Sequence, residues 1–154
     1  MTDSNSLLSI QDLSVAFGRE EAEQTRVVHG VSFDIQAGEK IALVGESGSG
    51  KSVTAMSILQ LHDPGQTRYP TGRILFNGQD LLHMDKEPLR HIRGKDIAMI
   101  FQEPMTSLNP VYTIGDQLVE PLILHQGMDK QQARTRAIEL MDRTGILEPQ
   151  KRID

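Results

Sequence analysis

The eight residues Gly45-Glu46-Ser47-Gly48-Ser49-Gly50-Lys51-Ser52 restrict the possible folds of this chain more than any other stretch. They fill every fixed position of the pattern G-x-x-x-x-G-K-[ST]. Before them comes an unbroken apolar run, Ile41-Ala42-Leu43-Val44, of the kind found in strands covered on both faces. After them Val53 to Leu61 predicts a mostly apolar helix that ends before Pro64-Gly65. A buried strand that turns through glycines straight into a helix belongs to an α/β chain. The residue types suit one kind of ligand. Glycines let the backbone curl so that several N–H groups point at phosphate oxygens. The helix start adds the positive end of its dipole. Lys51 reaches the β- and γ-phosphates of a nucleotide, and the Ser52 hydroxyl is placed to coordinate Mg²⁺. The bland alternative is a glycine-rich turn with a surface lysine, and the flanking strand and helix patterns argue against it.

The rest of the chain supplies a second apolar run and a helical tail. Leu13, Val15 and Phe17 alternate with smaller residues, as do Val31, Phe33 and Ile35 after a charged connection from Gly18 to Gln24; both predict strands with one buried face. Arg73 to Phe76 precedes Asn77-Gly78, a strong hairpin signal. Asp85 is placed to cap a short helix through Arg93, with Gly94 as its stop. Ile97-Ala98-Met99-Ile100-Phe101 suits another central strand. Pro104 to Pro110 is loop-like. Thr113 and Asp116 have capping-box spacing ahead of Ile114, Leu118 and Leu122, with Pro121 a predicted kink; Asp129 and Gln132 repeat the spacing ahead of Ala133, Ala137, Leu140 and Met141.

Composition excludes several classes of function. Hydrophobic residues make up 38% and charged residues 24%, away from the polar, highly charged regime that prevents folding. The formal charge of −5, with basic residues dispersed among acids, argues against nucleic acid as a partner. Met1 to Ser6 is polar and acidic where a secretory signal would be basic and then apolar. No apolar stretch approaches the roughly 18 residues that cross a bilayer, so membrane association is expected through a partner protein. There is no cysteine, and the five histidines show no metal-ligand spacing. His62, His83 and His91 have no catalytic company in the sequence. Arg90 and Arg93 read as solvated.

Two stretches carry a family resemblance: Leu43 to Thr54, and Ile97-Ala98-Met99-Ile100-Phe101-Gln102-Glu103-Pro104-Met105-Thr106-Ser107-Leu108-Asn109-Pro110. From Leu8 onward the chain resembles the ATP-binding subunits of ABC transporters. The second stretch resembles the branch of dipeptide, oligopeptide, nickel, glutathione and microcin C-type importers. The resemblance implies an incomplete P-loop NTPase (ABC ATPase) core with an antiparallel β-subdomain over residues 1–104 and the start of a helical subdomain over 105–154. It implies ATP and Mg²⁺ as ligands, with Gly45, Glu46, Ser47, Gly48, Ser49, Gly50, Lys51, Ser52 and Val53 around the phosphates. Gln102 corresponds to a glutamine that contacts Mg²⁺ and the attacking water, and its place after the second apolar run is where open α/β sheets put ligands; a solvent-facing glutamine at a strand end is the rival. Phe17 matches an aromatic position that stacks on adenine, and a core phenylalanine at a strand end is its rival. The partners implied are transmembrane permease subunits received by the surface of residues 103–117, a second ATPase domain and, indirectly, a periplasmic solute-binding protein. The location implied is peripheral, on the cytoplasmic face of the inner membrane.

The Leu-Ser-Gly-Gly-Gln signature, the apolar strand ending in Asp-Glu and the switch histidine of that family do not occur in these 154 residues. By the resemblance they would follow Asp154, and Lys151 to Asp154 reads as an edge of truncation. Hydrolysis by this chain alone is therefore expected to be nearly absent. Uncovered apolar faces are expected to favour self-association. Two other functions fit parts of the pattern: a non-catalytic protein that docks on a permease through residues 104–126, and another phosphate-loop enzyme such as a GTPase, although the guanine-reading Asn-Lys-x-Asp is absent.

Overall fold

One long strand, β1 (Leu8–Phe17), organises the first half of the chain. It pairs antiparallel with β2 (Thr25–Ile35) along one edge. Its other edge is shared by β3 (Thr67–Arg68) and β4 (Arg73–Phe76), both antiparallel to it, and β5 (Gln79–Asp80) extends the sheet from β4. Flanked on both sides, β1 buries Leu8, Ile10, Leu13 and Val15, and also Ser9 and Ser14. The Ser14 hydroxyl meets its hydrogen-bonding need inside the sheet by accepting from the Gly30 N–H at 3.1 Å. Asn77 and Gly78 turn the chain between β4 and β5 with φ of 48° and 78°, the left-handed pair that the hairpin signal requires. The structure is a computed structural model that describes residues 6–19, 24–102 and 108–154. The first five residues, part of the charged connection (20–23) and residues 103–107 lie outside the described residues, so the loop-like reading from Pro104 is only partly covered.

The described chain divides into two compact units, Met1–Arg90 and His91–Asp154. In the first, β1 begins five residues earlier than strict alternation predicts. At Asp12 the backbone takes φ 47° and the ladder register shifts between Ile10 and Leu13, so the buried phase moves by one residue. Helix α1 (Lys51–Ile58) follows the glycine loop. It starts two residues before the predicted helix and unwinds sooner, through Gln60 at φ 47°, where Gln60 N–H donates to Ser57 O at 3.0 Å and Leu61 N–H to Met56 O at 3.0 Å. A 3₁₀ turn (Leu81–His83) follows, and α2 (Lys86–Ile92) runs across the boundary at Arg90.

The two apolar runs expected to be central strands do not form strands. Among the described residues no strand pairs with Ile41-Ala42-Leu43-Val44, and a single bridge between Arg93 and Ile97 touches the second run. Val44 is 89% exposed and Ile100 97% exposed, and Leu43 and Phe101 are exposed with them. The physical reason lies in the backbone. Apolar side chains suit a segment to burial, but a strand also needs a neighbour to take its N–H and C=O groups, and the five described strands are committed to the antiparallel sheet.

In the second unit α3 (Ile114–Gln126) and α4 (Lys130–Arg143) form a helical pair followed by the short α5 (Pro149–Arg152). The Thr113 hydroxyl caps α3 by accepting from Asp116 N–H at 3.0 Å, while the Asp116 carboxylate accepts from that hydroxyl at 2.9 Å instead of reaching the backbone. The longer Gln132 completes the box at α4: its carbonyl accepts from Asp129 N–H at 3.1 Å, and Asp129 Oδ1 accepts from Gln132 N–H at 2.8 Å. Leu122, Ala133, Ala137 and Met141 form the core as their helical spacing predicts, with Ile114 and Leu118 packed on it, whereas Leu140, expected beside them, is only half-buried. Pro121 sits inside α3 on its exposed side. Ile153, which the sequence placed in a loose edge, is fully buried in this core, and its carbonyl accepts from Gly115 N–H at 2.6 Å. Burying a side chain of that size contributes about 1.5–3 kcal/mol.

Candidate nucleotide-binding site

The glycine loop closes on itself. Ser49 N–H donates to Glu46 O at 3.2 Å, which turns the chain back toward its start. The Lys51 ammonium lies in the mouth of the turn and donates to Gly45 O at 2.7 Å, to Glu46 O at 2.6 Å and to Ser49 Oγ at 3.2 Å. Its three protons are thus held by the loop itself, and the residue is half-buried. Gly50 is the N-cap of α1, in the left-handed region with φ 86°, and no side chain caps the helix. Thr54 holds the loop exit from below: its N–H and its Oγ1 both donate to Gly50 O, at 2.8 and 2.9 Å. Strand β2 braces the same point, since a Cβ added to Gly50 would stand 2.9 Å from Val27 O and 3.1 Å from Val28 Cγ2.

The N–H groups that open a helix have no partner within it. Here the first turn of α1 also carries no acidic residue. The helix start therefore combines the N–H groups of Lys51, Ser52 and Val53, a dipole end equivalent to roughly half a positive charge and a nearby lysine ammonium, an arrangement that suits a polyphosphate. Ser52 is exposed in that first turn. Among the described residues no group of three His, Cys, Asp or Glu side chains could cage a metal ion. The donor set does not exclude a Mg²⁺ ion brought in with phosphates, for which the Ser52 hydroxyl would be one hard oxygen ligand.

Phe17 ends β1 half-buried, two residues beyond Val15, whose cross-strand partner Val28 is one of the two residues that brace Gly50. Its ring meets the His62 imidazole edge to face, with centroids 5.2 Å apart and planes at 73°. His62 Nε2 in turn lies 3.0 Å from the carbonyl oxygen of Val53, in the first turn of α1. The structure therefore links Phe17 to the phosphate-loop helix through a residue that the sequence left without a role. No spacing rule points to His62; only the tertiary contact does. Gln102 lies in the second unit, exposed in a bend after Phe101.

The glycine loop, its lysine and the helix it opens form a phosphate-loop motif in a chain of mixed sheet and helix. Residues 28–154 match the family model described as ABC transporter, and the chain belongs to that family. It is 54% identical over 152 residues to the peptidoglycan transport ATP-binding protein YejF of Agrobacterium fabrum, an overlap covering 99% of this chain and 28% of that protein. It is 46% identical over 149 residues to the dipeptide transport ATP-binding protein DppD of Escherichia coli K12, covering 96% of this chain and 45% of that protein. The chain thus spans less than half the length of these relatives. A dimeric structure of a bacterial ABC transporter cassette superposes with a TM-score of 0.76 at 23% identity, over 96% of this chain and 60% of that one, and bears on the fold alone. The fold is that of part of an ABC-type P-loop cassette.

Proposed function

We propose that this chain binds Mg²⁺-ATP through residues 45–53, with the adenine on Phe17, and that the protein it belongs to hydrolyses ATP to drive uptake of peptides or related small solutes. The observation that carries the proposal is the Lys51 ammonium in the mouth of a closed loop, beside a helix start that no side chain caps. Lys51 donates to two uncharged carbonyl oxygens and a hydroxyl. A triphosphate offers fully charged oxygens to the same three protons, so the ligand replaces weak acceptors by strong ones. The first-turn N–H groups of α1 take the remaining phosphate oxygens. Mg²⁺, when bound with the nucleotide, would offset phosphate charge and stabilise the charge that develops on transfer. Gln102 is the residue we propose to contact the ion and the attacking water, a role that rests on the motif.

The permease is the proposed partner for the surface after Gln102, where Leu108, Val111 and Tyr112 are exposed. A second ATPase domain and a periplasmic solute-binding protein complete the proposed assembly. Among the described residues no helix is long and apolar enough to cross a membrane. Attachment through the permease, on the cytoplasmic face, follows as part of the proposal. The exposed apolar residues also favour a second reading, a docking protein without catalysis; co-purification with permease regardless of nucleotide would support it.

The test is a calorimetric titration of the full-length protein and of Lys51→Ala with Mg²⁺-ATP. Losing hydrogen bonds from a charged donor costs about 1.5–3 kcal/mol, so the variant is expected to bind about ten- to a hundred-fold more weakly. Equal affinities would remove the phosphate site.

A further inference from the structure

We infer that His62 is a positioning residue for the base-stacking ring of Phe17, tying that ring to the first turn of the phosphate-loop helix. The inference rests on the nucleotide site proposed above and adds to it a residue outside the phosphate motif. Three observations carry it. The first is the edge-to-face contact between the two rings, 5.2 Å and 73°. Such a contact takes up at most one face of Phe17, so His62 itself does not cover the other. The second is the 3.0 Å approach of His62 Nε2 to Val53 O. A carbonyl oxygen only accepts, so Nε2 is the donor in this contact, which orients the ring.

The third is the frame that holds His62 in place. Thr67 is the ladder partner of Phe17, and Gly18 N–H donates to Gln66 O at 2.9 Å. Asp63, next to His62, closes the intervening turn: its Oδ1 accepts from Gly65 N–H at 2.8 Å, and its carbonyl from Thr67 Oγ1 at 2.7 Å. The backbone on either side of the ring pair is therefore anchored, and the His62 side chain spans from the end of β1 to α1. Val53 O also accepts from Ser57 Oγ at 2.7 Å, which fixes the far end of the span. The consequence is a register between the two ends of one ligand. The ring that receives the base and the turn that receives the phosphates are joined through one imidazole, beside the support that β2 gives Gly50. A side chain that only filled space between sheet and helix would support both ends alike.

ATP and inorganic tripolyphosphate separate the two roles, because tripolyphosphate reads the loop and has no base. Both are titrated with Mg²⁺ into the full-length protein, His62→Leu, His62→Gln, Phe17→Ala, and Phe17→Ala combined with His62→Leu. His62→Gln keeps an N–H for Val53 O and loses the ring. Both His62 variants are expected to raise the Kd for ATP about three- to ten-fold, to leave the Kd for tripolyphosphate unchanged, and His62→Leu to add nothing once Phe17 is alanine. Equal weakening of both ligands, an unchanged Kd for ATP, wild-type behaviour of His62→Gln, or an undiminished effect in the Phe17→Ala background would each overturn the inference. Indifference of both ligands to Lys51→Ala would instead overturn the nucleotide site itself, a result distinct from any of these.

Discussion

Replacing Gly50 by alanine tests how tightly the phosphate loop is held against the sheet. Gly50 has φ 86° and ψ 5° at the start of α1. An L-residue forced into that region loses about 1–2 kcal/mol. The added Cβ would also stand 2.9 Å from Val27 O and 3.1 Å from Val28 Cγ2. The first of these is a backbone atom of β2, which cannot rotate away as a flexible side chain would. Displacing packed structure of this kind costs about 1–3 kcal/mol more, giving a total of roughly 2–5 kcal/mol, a large part of the stability of an ordinary domain. Gly48 is the internal control. It has φ 82° and nothing within 4 Å of its added Cβ, so Gly48→Ala carries the backbone strain alone, about 1–2 kcal/mol. Urea unfolding without nucleotide, compared at equal m-value, measures both. The expected result is a gap of about 1–3 kcal/mol between the two variants. Costs that agree within about 0.5 kcal/mol, inside the usual scatter of surface substitutions, would refute the bracing of the loop by β2.

Two further outcomes concern the second unit. Asp129→Ala removes the reciprocal box at α4 and is expected to cost about 1 kcal/mol in chemical unfolding, whereas Asp129→Asn, which keeps an oxygen acceptor, should cost less. The Arg134 guanidinium, donating to both carboxylate oxygens of Asp154 at 2.8 and 2.6 Å, holds that carboxyl below its usual range. A depressed folded pKa adds stability above the ordinary carboxylate value of about 3.9 and loses it as pH falls through the depressed one. Arg134→Met should therefore differ from wild type at neutral pH and converge with it in acid, with a small difference that salt screens because both side chains are exposed.

What could be read from the residues depended on how local each requirement is. The closure of residues 45–52, the two helix starts at Thr113 and Asp129, and the turn at Asn77-Gly78 all depend on neighbours within a few positions. Each appears where the spacing places it. The phase slip at Asp12 is also local, yet it hides the first half of β1 because strict alternation assumes an unbroken pleat. Ile153 was missed for a different reason. Nothing in a four-residue tail shows that a backbone N–H at Gly115 and the apolar faces of α3 and α4 will receive it.

The apolar runs 41–44 and 97–101 mark the limit of hydrophobicity as a guide. Hydrophobicity reports what a segment gains when covered, while strand formation depends on hydrogen-bonding neighbours that the run itself does not supply. Exposed Val44 and Ile100 are thus segments with an unmet requirement, and their apolar character is information about what must cover them, not about what does. The same distinction separates Lys51 from His62. Lys51 belongs to a motif whose ligand chemistry is written in consecutive residues, so the amino-acid order alone reveals it. His62 joins residues 17 and 53, which no spacing rule connects, and its meaning arises only when a strand end and a helix start come within one imidazole of each other.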